Sequence, residues 1–157
     1  MTMKLIFTHE QYPVGKSVFL AGPTPRLKKT RSWRAGAINL FERHGFDGFL
    51  YVPEFRDGAR DNVSDDEFDR QCLWEEGALE RATVIMFWIP RRMPDMPSLT
   101  TNDEWGRWKD SGKVTFGAPP WAENVRYQWW WASRLGIETS TDLESLVEKT
   151  INKAKSW

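Results

Sequence analysis

The heptapeptide TVIMFWI, residues Thr83–Ile89, is the segment most informative about the architecture of this chain. Its side chains are apolar almost throughout, which is typical of a strand buried on both faces of a sheet. Pro90 follows at once, and proline cannot continue a central strand because it lacks an N–H group. We therefore expect a central strand here, with helices covering both sides of its sheet.

Three further short apolar runs are also followed closely by a proline, which marks each run as a strand with a defined end. They are Ser17–Ala21 before Pro23, Phe49–Val52 before Pro53, and Val114–Gly117 before Pro119. In addition, Lys4–Phe7 is expected to form an edge strand and Gly136–Thr139 a short last strand.

Helical patterns fill the intervals between these runs. The predicted helices are Ser32–His44, Asp65–Arg81, Trp121–Leu135 and Thr141–Lys153. The last of them is expected to begin at Thr141 as its N-cap, with Glu144 three residues later in a capping box. Strands that alternate with helices imply right-handed βαβ units, so residues 1–157 are predicted to form one α/β domain with a parallel sheet.

The 157 residues carry 22 Lys and Arg against 22 Asp and Glu, so the formal net charge is zero. A balanced charge is not the electrostatic footprint of a protein that binds nucleic acid polymers or membrane surfaces. The single cysteine, Cys72, allows no internal disulfide and excludes a cysteine-rich zinc site. The chain has neither a signal-peptide pattern nor an apolar run of about 18 residues, which predicts a cytoplasmic protein without a membrane span.

The charge is unevenly placed along the chain. Five basic residues and no acid lie between Arg26 and Arg34. Such a run is either a solvated surface or a loop that binds a substrate phosphate, and both interpretations stay open at the level of sequence.

In an open parallel sheet, ligands bind beyond the carboxyl ends of the strands. The loops at that edge are predicted at Gly22–Arg26, Glu54–Gly58, Arg91–Asn102 and Ala118–Trp121. None of the common signatures falls there: the chain has no P-loop, no dinucleotide-binding glycine motif and no nucleophile elbow. Its two histidines, His9 and His44, lie far apart in the sequence, which disfavours a catalytic triad or a histidine metal centre. Carboxylate chemistry remains.

Two carboxylates are candidates for that chemistry. Glu75 falls on the otherwise apolar face of the helix Asp65–Arg81, one turn from Gln71, and an unpaired carboxylate is costly to bury. Glu104 follows the longest loop and is expected in the first turn of a helix. Each also has an ordinary interpretation: Glu75 as a surface or arginine-paired residue, and Glu104 as an acid stabilised by the helix dipole.

Several segments, in the same order along the chain, resemble the nucleoside 2-deoxyribosyltransferase superfamily, above all its nucleoside 2-deoxyribosyltransferase-like branch. The resemblance extends from about Ser17 to Tyr127 and is carried by Val18–Pro23, Thr24–Arg26, Ser32–Arg34, Tyr51–Glu54, Trp74–Glu75 and Thr100–Gly106. The last segment, TTNDEWG, is similar to the superfamily's segment with the catalytic glutamate.

This resemblance implies a flavodoxin-like or Rossmann-like fold, with a doubly wound, mostly parallel sheet of five strands. It implies a transferase that moves 2-deoxyribose between nucleobases, with Glu104 as the nucleophile on the sugar C1′ and Glu75 as the acid for the leaving base. No metal and no organic cofactor is implied. The partners implied are a nucleoside or nucleotide, a nucleobase and further copies of the chain in a homo-oligomer, for which Trp129–Trp131 is either an interface or part of the core.

The substrate contacts that follow from the resemblance involve Gly22, Pro23, Thr24, Arg26, Gln71, Asn102 and Trp105. The chain departs from the superfamily in one place: Pro90-Arg91-Arg92 stands where an Asp that contacts the base often follows the strand. Gln71, rather than Glu75, is the alternative occupant of the helix carboxylate position. An N-glycosidase that hydrolyses nucleoside 5′-monophosphates and a nucleotide-binding domain without turnover are the alternative functions.

Overall fold

The computed structural model describes residues 2–25, 30–58 and 63–156, which form a sheet with helices on both faces. In chain order the elements are β1 (Lys4–Phe7), β2 (Ser17–Ala21), α1 (Trp33–Arg43), β3 (Phe49–Val52), α2 (Asp65–Arg81), β4 (Val84–Trp88), α3 (Leu99–Trp108), β5 (Val114–Gly117), α4 (Arg126–Leu135), β6 (Glu138–Ser140) and α5 (Leu143–Lys155). The six described strands are all parallel and lie in the order β1-β3-β2-β4-β5-β6. Without β1, this is the strand order of flavodoxin-like folds.

The two faces of the sheet are covered by different helices, as a doubly wound fold requires. α1 and α5 pack on one face, where Phe41 and Ile151 join the core. α2, α3 and α4 cover the other face with Trp74, Trp105 and Ala132. Every residue of β2 and β4 is buried, because these strands have neighbours on both edges and helices on both faces. The prediction of a doubly wound α/β fold is confirmed.

The strand predictions are confirmed with corrections at the edges of the sheet. Six described strands replace the five that the resemblance implied, because short strands pair at both edges: β1 with β3, and β6 with β5. β6 begins two residues later than predicted, since Gly136 adopts the left-handed conformation that ends α4. Edge strands face solvent and carry little apolar pattern, so sequence locates them less sharply.

The helix α4 begins at Arg126, five residues after the predicted start at Trp121. The backbone of Ala122 closes a turn on Pro119, and Asn124 has a positive φ of 53° that a helix does not allow. Apolar spacing extends across this turn, whereas helical geometry does not. Across the described residues, no helix reaches the length and apolar content that a bilayer crossing demands.

The N-cap of α5 is Asp142 and not the predicted Thr141. Its two carboxylate oxygens accept hydrogen bonds from the backbone N–H groups of Glu144 and Ser145, at 3.1 and 3.3 Å. The predicted capping box between Thr141 and Glu144 is therefore wrong. A carboxylate can accept two N–H groups at once and also carries the charge that a helix N-terminus favours.

Candidate active site

A cavity of about 240 Å³ opens at the carboxyl ends of the central strands. It lies beside the neighbouring strands β2 and β4, whose onward connections run in opposite directions, to β3 and to β5; this is the switch point at which doubly wound folds bind ligands. Its lining residues in the described chain are Gly22, Pro23, Thr24, Arg34, Pro53, Phe68, Gln71, Cys72, Glu75, Pro97, Ser98, Leu99, Thr100, Thr101 and Glu104. Two of the four loops predicted at this edge, Gly22–Arg26 and Arg91–Asn102, supply described lining residues; Glu54–Gly58 and Ala118–Trp121 do not.

The loop after β2 forms one wall of the cavity and requires glycine at its first position. A Cβ atom on Gly22 would lie 2.2 Å from the carbonyl oxygen of Trp88 and 2.7 Å from the ring of Trp33. The indole N–H of Trp33 in turn donates to the carbonyl of Pro23, at 2.9 Å. Gly22, Pro23 and Thr24, all predicted to contact substrate, are thus held as a tight wall against the end of β4.

Arg34 lies beneath this wall, and only 2% of its surface is exposed. Its Nε donates to the carbonyl of Leu20 at 2.9 Å, and its Nη2 donates to that of Gly22 at 2.6 Å. Its Nη1 donates to the hydroxyl of Thr24 and to the carboxylate of Glu54, both at 2.9 Å. One side chain therefore connects the end of β2, the following loop and the end of β3.

The two described basic residues of this run, Arg31 and Arg34, differ in burial. Arg34 is buried at the cavity, whereas Arg31 is exposed. Arg26, which was predicted to contact a phosphate or a base, lies outside the described residues, as do residues 27–29. Arg34 is the basic side chain among the described lining residues, and four of its N–H contacts are made within the protein.

Two helices bring their acids to the same cavity. From α2, Phe68, Gln71, Cys72 and Glu75 line it at helical spacing. This face, read from sequence as apolar, is the cavity wall over these positions, so both Gln71 and Glu75 are placed at the site. From α3 comes Glu104, which lies in the second turn of the helix and not in the predicted first turn.

The acids Glu75 and Glu104 interact electrostatically inside the cavity. Burial raises the pKa of Glu75 to about 7, with Arg34 opposing the rise. Burial also raises the pKa of Glu104 to about 8; the charges of Glu75 and Asp103 add to the rise, and that of Arg34 opposes it. Each carboxylate disfavours ionisation of the other, so the pair titrates as a unit near neutral pH. Such a pair can supply one proton donor and one anion.

The carboxyl group of Glu104 has an unused acceptor. Its Oε2 is buried and receives no hydrogen bond from the described residues. A buried carboxylate oxygen without a donor is costly, and at a ligand cavity a hydroxyl of the ligand can provide that donor.

Two predicted contact residues of α3 lie away from the cavity. The side-chain oxygen of Asn102 accepts hydrogen bonds from Arg91 and from Gln128, the latter at 3.1 Å. Trp105 is 3% exposed and packs in the core against the rings of Phe87 and Phe116, with centroids 5.3 and 5.0 Å away. The structure thus places both residues behind α3, where they hold the helix against α4 and the sheet.

Arg91 occupies the position where the superfamily often has an Asp, and its side chain points away from the cavity. It is 4% exposed and donates to the backbone carbonyl of Asn124 as well as to Asn102. Sequence reasoning noted the departure without finding this structural use, which depends on a partner 33 residues later in the chain.

One group of described side chains has metal-ligand spacing: His44, Glu144 and Glu148, whose ligand atoms lie within 4.8 Å of one another. His44 caps the C-terminus of α1 and its Nε2 is hydrogen-bonded to Glu144 at 2.9 Å. Both glutamates belong to α5, so the group joins two helices on the sheet face covered by α1 and α5 and does not line the cavity.

The fold and the cavity define a class: doubly wound α/β proteins with a pair of cavity-lining carboxyl groups at the switch point. The family model described as nucleoside 2-deoxyribosyltransferase like matches residues 15–121, and the chain belongs to this family. The matched segment contains β2 to β5 and both acids of the cavity. No curated protein matches the chain.

Proposed function

We propose that the protein is a nucleoside 2-deoxyribosyltransferase in which Glu104 is the nucleophile and Glu75 the general acid–base group. The observation that carries the proposal is the meeting of these two carboxyl groups, both with raised pKa values, in a cavity at the carboxyl ends of β2 and β3. Family membership supports the class of chemistry.

In the first half-reaction, a carboxylate oxygen of Glu104 bonds to the sugar C1′ while the bond between C1′ and the base nitrogen breaks. Glu75 gives its proton to the departing base, which leaves neutral. In the second half-reaction, a nitrogen of the incoming base bonds to C1′, the ester to Glu104 breaks, and the proton of that nitrogen passes to Glu75. The sequence of steps is that of a retaining glycosyl transfer, in which a carboxylate stabilises an oxocarbenium-like transition state.

The two roles require one ionised and one protonated acid. A sugar hydroxyl that donates to the unpartnered Oε2 of Glu104 would favour the ionised form there. Glu75, raised to a pKa of about 7 by burial, can then hold the proton at neutral pH.

The test is incubation of the purified chain with deoxyinosine and adenine, with products separated by chromatography. Deoxyadenosine is the expected product. Parallel reactions with deoxyinosine alone and with deoxynucleoside 5′-monophosphates separate transfer from hydrolysis. Release of free base without a new nucleoside would replace the proposal with an N-glycosidase, and absence of any product would favour a binding domain without turnover.

The first prediction is that Glu104→Ala lowers the rate of transfer by at least about a thousandfold, because the covalent route loses its nucleophile. Glu76→Gln is the matched control, since Glu76 is an exposed acid that follows Glu75 on α2 and does not line the cavity. The wild-type enzyme, quenched in acid with deoxyinosine, should carry a deoxyribosyl group on the peptide that contains Glu104, as detected by mass spectrometry. Retained turnover in Glu104→Ala would refute the assignment.

A further inference from the structure

Arg34 is the largest side chain that the fold buries completely among the described residues, and it borders the cavity. A buried guanidinium is expensive unless its charge and its N–H groups are satisfied. The N–H groups of Arg34 do have specific acceptors: two backbone carbonyls, one hydroxyl and one carboxylate. An apolar side chain of the same volume could be buried at a lower desolvation free energy, so the presence of an arginine here requires an explanation.

We propose that Arg34 is a positioning residue for sugar transfer, which holds the Gly22–Thr24 wall in place and presents its positive charge to the Glu75–Glu104 pair. This inference rests on the proposed function, because the wall and the pair are where the sugar would bind.

The geometry explains why arginine, and not lysine, stands at this position. The planar guanidinium donates in three directions at once, to Leu20, to Gly22 and jointly to Thr24 and Glu54. A lysine has one ammonium group and cannot reach all these acceptors from a single position. The carbonyl of Leu20 in β2 or that of Gly22 in the wall would then lose its hydrogen bond from this side chain.

The charge of Arg34 is only partly balanced. Glu54 is its ion-pair partner, and that carboxylate also accepts a hydrogen bond from the hydroxyl of Ser32 at 2.6 Å. The side chain of Glu54 is 24% exposed, so water screens it more than it screens the buried arginine. Arg34 therefore still acts on the acid pair, where it holds the pKa of both groups below the values that burial alone would set.

Among the described residues, two further titratable groups interact with the pair: Cys72 on α2 and Asp103 on α3. Burial, together with the charges of Glu75, Asp69 and Glu104, raises the pKa of the Cys72 thiol, so it stays neutral near pH 7. Asp103 is exposed and raises the pKa of Glu104. Several described groups act on the acid pair. Among them, Arg34 is the cation, and its charge favours the ionised forms of Glu75 and Glu104.

The experiment combines a titration with kinetics in the full-length chain. The side-chain carboxyl carbons of glutamate are labelled with ¹³C and titrated by NMR, with Glu75→Gln and Glu104→Gln used to assign the two signals. The titration is repeated in Arg34→Gln and Arg34→Lys, and the pH dependence of kcat and KM for deoxyinosine is measured in the same variants.

In Arg34→Gln, both carboxyl pKa values are expected to rise, and the acid limb of the kcat profile should move to higher pH. The loss of kcat should be about tenfold or more below neutral pH and should shrink as the pH is raised. In Arg34→Lys, which keeps the charge, the titrations should stay near those of the wild type while KM rises, because the wall is less well held.

Arg91→Gln is the matched control, since it removes another buried arginine that binds a backbone carbonyl and a side chain. It should leave both titrations unchanged. Unchanged titrations in Arg34→Gln, or an equal shift in Arg91→Gln, would overturn the inference. A wild-type KM in Arg34→Lys would also overturn it, and this variant remains a test if Arg34→Gln does not fold. The NMR titration does not require turnover. A wild type without transfer activity would therefore refute the proposed function, while the effect of Arg34 on the two carboxyl pKa values would still be tested by the titration.

Discussion

The fold surrounds Glu75 and Glu104 with an environment that favours their protonated forms at a pH where glutamate in water is ionised. Their ordinary pKa is 4.5; burial raises the pKa of Glu75 to about 7, and burial together with the charge of Glu75 raises that of Glu104 to about 8. Folding therefore makes these groups bind protons more tightly than the unfolded chain does. The free energy of unfolding therefore depends on pH, and this dependence measures how much the site costs in stability.

The second prediction concerns this dependence. Below about pH 4.5 both acids are protonated in the folded and unfolded states, and between about pH 4.5 and 8 only the folded state retains the protons. The free energy of unfolding should thus fall across this window, by on the order of a few kcal/mol from the two groups together. Urea unfolding at several pH values measures it.

Glu75→Gln and Glu104→Gln should each flatten the pH dependence of the free energy of unfolding and stabilise the protein near pH 8. Glu76→Gln is the control, because Glu76 follows Glu75 on the same helix but is exposed and paired with Arg107 at 2.8 Å. An identical pH dependence in the wild type and in both glutamine variants would show that neither acid carries a raised pKa.

At the scale of elements, the connections decide how closely two segments approach. The loop after β2 passes so near β4 that glycine is required, whereas Gly36 in the helix α1 is exposed and meets nothing within 4 Å. The same residue type thus has a packing role in one element and only an entropic cost in the other.

The third prediction uses this contrast. Gly22→Ala should destabilise the protein by about 1–3 kcal/mol, because its Cβ would displace the backbone at Trp88. Gly36→Ala should stabilise it by about 0.5–1 kcal/mol through higher helix propensity. Thermal unfolding of both variants gives the comparison, and equal effects of the two changes would contradict the close approach at Gly22.

The fourth prediction tests the N-cap of α5. Asp142→Ala should cost about 0.5–2 kcal/mol, since two backbone N–H groups lose their acceptor. Thr141→Ala, one residue earlier and exposed, should stay within about 0.5 kcal/mol of the wild type. Urea unfolding distinguishes the two positions. A larger decrease in the free energy of unfolding for Thr141→Ala than for Asp142→Ala would contradict the observed cap and support the capping box predicted from sequence.

At the scale of the whole molecule, the tryptophan cluster of α4 divides between core and surface. The ring of Trp129 packs against Phe116 with centroids 4.7 Å apart. Trp130 is 53% exposed and stacks with Tyr127, which is 66% exposed; their ring planes lie within 5° of each other. Exposed, stacked aromatic rings are typical of protein interfaces.

The fifth prediction follows from this aromatic pair and from the homo-oligomer that the resemblance implies. The wild type should sediment above the mass of an 18.4 kDa monomer, and Trp130→Ser should shift the equilibrium toward the monomer. Trp121→Ser is the control, as Trp121 is 51% exposed but lies outside α4. Sedimentation velocity over a range of concentrations measures the shift, and a wild type that is monomeric throughout would reject self-association.

The sequence by itself determined the class of fold, because the signals for it are local. Buried strands such as β4, Val84–Trp88, are apolar throughout and are followed closely by a proline, and α2 is found with the predicted bounds, Asp65–Arg81. The resemblance to the family, which the family model confirms, likewise depends only on the order of residues along the chain. Local patterns were weakest at edge strands and helix ends, where solvent and turns compete with periodicity.

Only the tertiary structure decided which candidate residues meet. Glu75 and Glu104 share a cavity because α2 and α3 converge at the switch point, while Asn102, two residues before Glu104, turns toward Arg91 on the far side of the helix. In the sequence, Arg34 belongs to a basic run that fits either a solvated surface or a phosphate-binding loop; the structure buries it, because its partners come from two different strand ends. Burial and long-range pairing depend on how the chain packs, and no local pattern of residues encodes them.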